Sequence, residues 1–324
     1  MTHAQALWYT GPGQVEIRNA DIAAGDLRVD NVQVRALYSG ISRGTERLVL
    51  NGRVPPSEYE RMRCPRQDGD FPFPVKYGYA LVGQIESGPK DLEGAAVFLL
   101  HPHQTLATAA VAEVHRLPAG LPPRRAALTA NMETALNVVW DAGVAPGDRV
   151  LIIGGGVLGL LIAGLAARIA GTETTVVDTD PSRAAPARAL GAAFTAPGAA
   201  PRDQDVVIHT SATGAGLTLA LDCAGVEARV VEASWYGDAT AAIPLGGAFH
   251  ARRLQIISSQ VGAVAPSHRP RWTYGRRLQA AIGLLCDPAF DALITGELAF
   301  ADAPGHMPRI IADNTGLMTV IRYT

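Results

Sequence analysis

Three cysteines in 324 residues are too few for a disulfide framework. Cys64, Cys223 and Cys286 are also too far apart for a CxxC pair or a four-thiolate zinc site. This usage fits a reduced cytoplasm. Lysine is nearly missing: 26 of the 28 basic residues are Arg, and Lys76 and Lys90 are the remainder. A lysine Schiff base has almost nothing to form on. No excess of one charge exists either. The net charge of −2 argues against nucleic acid or an anionic membrane surface as the main partner. The longest apolar run, Leu151 to Ala167, has 17 residues, five of them glycine, whereas a spanning helix needs about 20 apolar residues. Met1 to Arg18 alternates like a strand and has no apolar signal core. What is present is the composition of a folded chain, 48% hydrophobic and 18% charged, at a length that suggests about two domains.

The first part reads as short β segments: Ala4–Tyr9, Val32–Tyr38, Ala80–Glu86 and Ala95–Leu100, with Gly and Pro between them. Residues 51–76 read as a long loop, hence a functional or mobile one. A Pro- and Gly-rich cluster at residues 117–123 marks a boundary. After it a helix is expected over Arg125–Ala142. Strands and helices then alternate: Arg149–Ile153, Val157–Ala170, Thr174–Asp178, Pro181–Leu190 (with Pro186 a candidate kink), Asp205–Ser211, Gly216–Cys223, Arg229–Trp235 and Leu254–Gln260. Such alternation implies an α/β chain with a parallel sheet. A helix over Trp272–Leu285 and short strands ending at Val320–Tyr323 complete the pattern.

Gly154-Gly155-Gly156-Val157-Leu158-Gly159 fits G-x-G-x-x-G, follows an apolar strand and opens a helix. Gly154 allows a tight turn, Gly156 lets the backbone approach a pyrophosphate, and Gly159 permits close helix–strand packing. The helix N-terminus offers N–H groups to phosphates. Asp178, 19 residues after Gly159, ends the next strand. A carboxylate there accepts ribose hydroxyls and repels a 2′-phosphate, which favours NAD over NADP. The expected cofactor contacts are Gly154, Gly156, Val157, Leu158, Gly159, Asp178 and Arg183.

With these motifs the chain resembles the medium-chain dehydrogenase/reductases over nearly its whole length. The resemblance implies a Rossmann-type doubly wound sheet over residues 124–268. It also implies a β-rich, GroES-like catalytic domain over 1–123 and 269–324, completed by the C-terminus. Gly40-Ile41-Ser42-Arg43-Gly44-Thr45-Glu46 looks like the family's Gly-Ile-Cys-Gly-Thr-Asp segment with one residue inserted. Ser42 then stands at the first zinc-ligand position. Gly78-Tyr79-Ala80 resembles Gly-His-Glu, so Tyr79 replaces the zinc histidine and Ala80 the nearby acid. Ala130 occupies the third ligand position, and the lobe for a structural zinc has no cysteine. A hydroxyl, a phenol and a methyl group do not make a zinc site. His101 and His103, expected on one face of a strand, lack a third ligand. The expectation is no metal. Within the zinc-free branch, Ser39–Leu48 and Gly78-Tyr79-Ala80 are similar to the hydroxyethyl-bacteriochlorophyllide dehydrogenase type.

Without zinc a developing oxyanion needs hydrogen-bond donors. Through the resemblance these are Tyr79, Thr45 and Ser42, with Tyr79 the best proton donor if a cation lowers its pKa. A filler in the zinc hole is the plainer role for Tyr79. The resemblance also pairs Glu46 with Arg322, places Arg322 on the cofactor pyrophosphate and packs Thr134 against the nicotinamide. It sets Thr210, Ser211 and Ser234 along the ribose and nicotinamide. The Arg269–Arg277 run either greets an acidic substrate or forms a solvated helix face. The expected function is zinc-independent hydride transfer between NAD(P)(H) and a secondary alcohol or ketone. Reduction of an activated C=C bond and a catalytically silent dinucleotide-binding protein are the alternatives. The expected partners are a small-molecule substrate and a second copy of the chain, joined through the apolar edge strand Leu254–Val261.

Overall fold

A computed structural model describes residues 4–20, 22 and 30–323; the first three residues of the alternating N-terminal stretch lie outside this set. The chain divides into two compact units, Met1–Ala130 with Ile294–Thr324, and Asn131–Leu293.

The first unit is built around the strand Asn31–Gly40. Its alternate residues Val32, Val34 and Ala36 are buried, as the period of a strand with one core face requires. It pairs antiparallel with Leu81–Ser87 and Leu106–Ala110, and its far end pairs with the C-terminal strand Met318–Arg322. Val32, Val34, Leu81, Ile85, Val97 and Leu99 form one apolar cluster of this unit. A smaller four-stranded sheet holds Ala4–Gly11, Gln14–Ala20 and two short strands, Asp68–Gly69 and Val75–Lys76, from the expected 51–76 loop.

The second unit holds six strands, all parallel. In space they run Ala193–Thr195, Glu173–Val177, Arg149–Ile153, Gln204–His209, Ala224–Glu232, Gln255–Ser258. The strand order reverses between Arg149–Ile153 and Gln204–His209. Ligands of open α/β sheets bind at the carboxyl ends of strands at such a switch point. Five of these strands match the alternation read from the sequence. The sixth, Ala193–Thr195, is three residues long and too short to carry a readable period.

Two expectations change. The helix expected over Arg125–Ala142 is two helices, Pro123–Ala126 and Thr129–Ala142. The break falls where Leu128 N–H turns back to the Arg125 carbonyl and the Thr129 hydroxyl takes the Ala126 carbonyl. The domain boundary expected at residue 269 also moves, because the helix Tyr274–Leu284 belongs to the second unit. The cause is Arg277, expected either to greet an acidic substrate or to lie on a solvated face but only 2% exposed. Its guanidinium donates to Glu133 Oε1 at 3.0 Å, to Asn137 Oδ1 at 2.6 Å and to the Val261 carbonyl at 2.6 Å. Burial still pushes the Glu133 carboxyl above its ordinary range, against the pull of Arg277.

Arg277→Met is therefore expected to cost about 3–5 kcal/mol in urea unfolding, the usual loss when one partner of a buried pair goes. With the cation removed, nothing opposes the upward push on Glu133. The folded variant then holds a proton that the unfolded chain releases, so its stability falls as pH rises. Greater stability at mildly acidic than at mildly alkaline pH is the expected signature; a pH-independent loss would refute this account.

Candidate cofactor and donor sites

In the second unit the glycine loop joins the strand Arg149–Ile153 to the helix Val157–Ala166. Gly154 has φ +109°, a backbone that side chains rarely tolerate. A Cβ on Gly159 would overlap the Gly154 carbonyl oxygen, so close packing of helix on loop depends on glycine. Gly156, by contrast, faces open space: nothing lies within 4 Å of where its Cβ would be. No side chain caps this helix, so its first N–H groups are presented to the same opening. That is the cradle a pyrophosphate requires.

Asp178 stands beside it. Its Oδ2 accepts the Gly155 N–H at 2.6 Å, and its Oδ1 accepts the Asp180 N–H at 2.8 Å. Arg183 is buried, pairs with Asp180 at 3.1 Å, and packs its stem over Gly155. Thr210 turns inward: its hydroxyl donates to the Gly154 carbonyl at 2.8 Å and ties the loop down. Ser234 Oγ accepts the Ala212 N–H at 3.1 Å. Ser211 lies 2.6 Å from His209 Nε2, a partner the sequence reading missed. Thr134 is half-buried in the helix Thr129–Ala142, and Ala130 lies in the first turn of that helix.

In the first unit Ser42 caps the helix Arg43–Leu50, and Thr45 sits in its first turn. The Ser42 and Thr45 hydroxyls lie close enough to the Tyr79 phenol to favour its ionised form. The three expected donors thus form one cluster. The expected lowering of the phenol is corrected: Tyr79 is pushed up to about 12 by burial, with Glu46 and Cys64 adding to the rise and the two hydroxyls opposing it. The sign differs because burial outweighs the two hydroxyls that favour the ionised form.

Behind this cluster Glu46 has no exposed surface. Its Oε1 accepts the Ser42 N–H at 2.7 Å. Its Oε2 accepts the Tyr9 hydroxyl at 2.6 Å and lies 3.0 Å from His103 Nε2. His103 Nδ1 is 2.7 Å from Ser39 Oγ, which meets the Tyr323 hydroxyl at 2.8 Å. The expected Glu46–Arg322 pair does not form. Arg322 donates to Glu297 at 2.9 Å on the neighbouring strand, and the His103 ring, not Arg322, lies beside Glu46. His101 and His103 lie beyond the strand Ala96–Leu99 rather than on one. His101 donates to the Pro102 carbonyl, and burial lowers it to about 4. Aromatic contacts tie the 51–76 segment to the donors: Tyr59 to Phe71 at 5.7 Å, Phe71 to Tyr77 at 5.9 Å, and Tyr77 edge-on to Tyr79 at 6.2 Å.

The donor set does not suit zinc. Ser42, Tyr79 and Ala130 offer a hydroxyl, a phenol and a methyl group. Among the described residues no three His, Cys, Asp or Glu are grouped to hold a metal ion.

Comparison with known proteins bears on the fold. No family model matches the chain. D-xylulose reductase A of Aspergillus niger is 28% identical over 119 residues, 36% of this chain and 33% of the relative. The match thus spans about a third of that relative's length. Among solved structures, L-idonate 5-dehydrogenase from Escherichia coli superposes with a TM-score of 0.80 at 15% identity, covering 99% of both chains. The short chain alcohol dehydrogenase (rspB) of E. coli CFT073, complexed with NADH, gives 0.79 at 16% identity and covers 100% of both. The fold is that of these dehydrogenases. It comprises a Rossmann-type unit and a β-rich, GroES-like unit completed by the C-terminal strands.

Asp178 supplies a test of the cradle. A phosphate about 4 Å from a carboxylate is repelled by about 1–4 kcal/mol, so NADH is expected to bind at least about fivefold more tightly than NADPH. Asp178→Ser should narrow or invert that ratio in fluorescence titrations. Equal affinities in the unmodified protein would remove Asp178 from the cofactor site.

Proposed function

We propose that the protein is a nicotinamide-dependent oxidoreductase that interconverts a secondary alcohol and its ketone without catalytic zinc, using NAD(H) in preference to NADP(H). The observation that carries this reading is the open glycine cradle beside a fixed carboxylate in one unit, in a chain whose other unit sets the Ser42 and Thr45 hydroxyls near the Tyr79 phenol. A bound nicotinamide supplies the hydride chemistry.

This chain's own contribution is a proton and its stabilisation. At neutral pH Tyr79, pushed up to about 12, is a neutral phenol and a donor. When it gives its proton to a substrate oxygen, the Ser42 and Thr45 hydroxyls donate to the phenolate left behind. Glu46 holds the Ser42 backbone and so the start of that helix. A phenol held protonated suits ketone reduction. The three cysteines, all free, are in keeping with a reducing cytoplasm, and among the described residues no helix is long and apolar enough to cross a membrane.

A NADH-coupled screen of ketones, alcohols and enones, run with metal chelated, tests the reading. Turnover of a ketone that survives chelation is expected. Enone-only turnover would assign C=C reduction, and silence across the panel would favour a dinucleotide-binding protein without activity. On the substrate found, Tyr79→Phe should lower turnover about a hundredfold, the cost of roughly 3 kcal/mol for a lost oxyanion donor, with the melting temperature hardly changed. A fully active Tyr79→Phe paired with a strongly destabilised Tyr79→Ala would make the ring a filler.

We also propose a homodimer built on the edge strand Gln255–Ser258, whose outer side pairs with no strand among the described residues and whose Ile256 is 37% exposed. Light scattering at micromolar concentration should report two chains. A monomer would overturn this assignment.

A further inference from the structure

In the second unit two polar residues follow short apolar runs at the ends of neighbouring strands. His209 ends Gln204–His209, Glu232 ends Ala224–Glu232, and the parallel register sets them side by side. His209 has no exposed surface. Its Nδ1 lies 2.7 Å from Glu232 Oε2 and its Nε2 2.6 Å from Ser211 Oγ. Ser211 Oγ is also 3.0 Å from Thr213 Oγ1, which accepts the Gly216 N–H. Glu232 further accepts from the Ser234 N–H at 2.8 Å and the Tyr236 hydroxyl at 3.0 Å. Burial pushes the Glu232 carboxyl up, but the hydrogen bonds from His209 and Ser234 outweigh it and the net shift is down. Glu232 is thus a carboxylate.

These partners assign the hydrogens. A carboxylate only accepts, so Nδ1 carries a proton. Thr213 Oγ1 accepts from the helix, which leaves its own hydrogen for Ser211. With a neutral imidazole, Ser211 then donates to Nε2 and keeps one lone pair free. A proton on Nε2 reverses the polarity. Nε2–H and the Thr213 hydroxyl fill both lone pairs, and Ser211 can only donate. The groups against the imidazole are Glu232 on the next strand and Tyr236 after it, both titratable, with Ile153 as register partner on the other side and Gly216 on the helix Gly214–Cys223.

Ser211 also borders the glycine cradle. A Cβ on Gly154 would lie 2.9 Å from Ser211 N. Gly216 leaves the space for the array, since a Cβ there would overlap Ser211 Oγ and lie 2.6 Å from His209 Nε2. A tie between two strands needs neither a serine at the cradle nor a glycine cleared for it.

We propose that Ser211, polarised by the His209–Glu232 pair, accepts a hydrogen bond from a sugar hydroxyl of the bound dinucleotide, and that protonation of His209 withdraws this acceptor. The proposal rests on the dinucleotide-binding reading of this unit. His209 and Glu232 are positioning residues in it, acting through Ser211.

The test is NADH fluorescence titration of the full chain over a pH series on both sides of neutrality. The unmodified protein should bind NADH about three- to tenfold more weakly at the acid end, the worth of one hydrogen bond. Ser211→Ala should bind at the weaker level throughout, with no pH dependence, and His209→Gln should also lose the slope. A flat profile in the unmodified protein, or a slope that survives in Ser211→Ala, overturns the proposal. If His209→Gln fails to fold by circular dichroism, Ser211→Ala, a half-buried loop residue, decides by itself. Absence of NADH binding at every pH instead overturns the dinucleotide reading, and this proposal with it.

Discussion

A carboxylate without solvent must have its oxygens satisfied by the protein, and Glu46 meets that demand in the first unit. Four elements answer it: the Ser42 backbone, the Tyr9 hydroxyl, the His103 ring and, through that ring, Ser39. The start of the helix Arg43–Leu50 is held by one of these bonds, and that helix start carries two of the three proposed donors. The N-terminal strand, the helix and the segment after Ala96–Leu99 thus converge on a single charge. Where a buried acid is tied to so many elements, removing any partner leaves desolvation unopposed.

The second unit follows the same rule with different chemistry. Arg277 is the buried charge there, and its donors are consumed by Glu133, Asn137 and loop carbonyls. In the same unit the glycine loop achieves its close contacts by having no side chains at all. One solution saturates polar groups and the other removes atoms.

Much of this was legible in the sequence, for local reasons. A glycine that must admit a carbonyl, an acid at the end of the next strand and an apolar five-residue strand are statements about neighbours along the chain. The parallel sheet and the cradle could be read from them. The clustering of Ser42, Thr45 and Tyr79 was legible only through family resemblance. The pairs that cross long stretches were not legible. Arg277 sits in a run of arginines that resembles a solvated face, and its acid lies 144 residues away. Glu46 and His103 are 57 residues apart, and nothing local in either segment announces the other. His209 and Glu232 did leave a trace: each is the one ionisable residue at the end of an apolar run, and the parallel register makes such ends neighbours.

The aromatic ladder from Tyr59 through Phe71 and Tyr77 to Tyr79 has a further consequence. Its outer rungs belong to the 51–76 segment, and its inner end is the proposed proton donor. Tilted and edge-on rings resist independent movement, since each uses its neighbour as packing. The segment and the phenol therefore share one mechanical unit. Drift in the sequence of the segment would reach the reacting hydroxyl through the rings, so selectivity and proton delivery in this chain would have to change together.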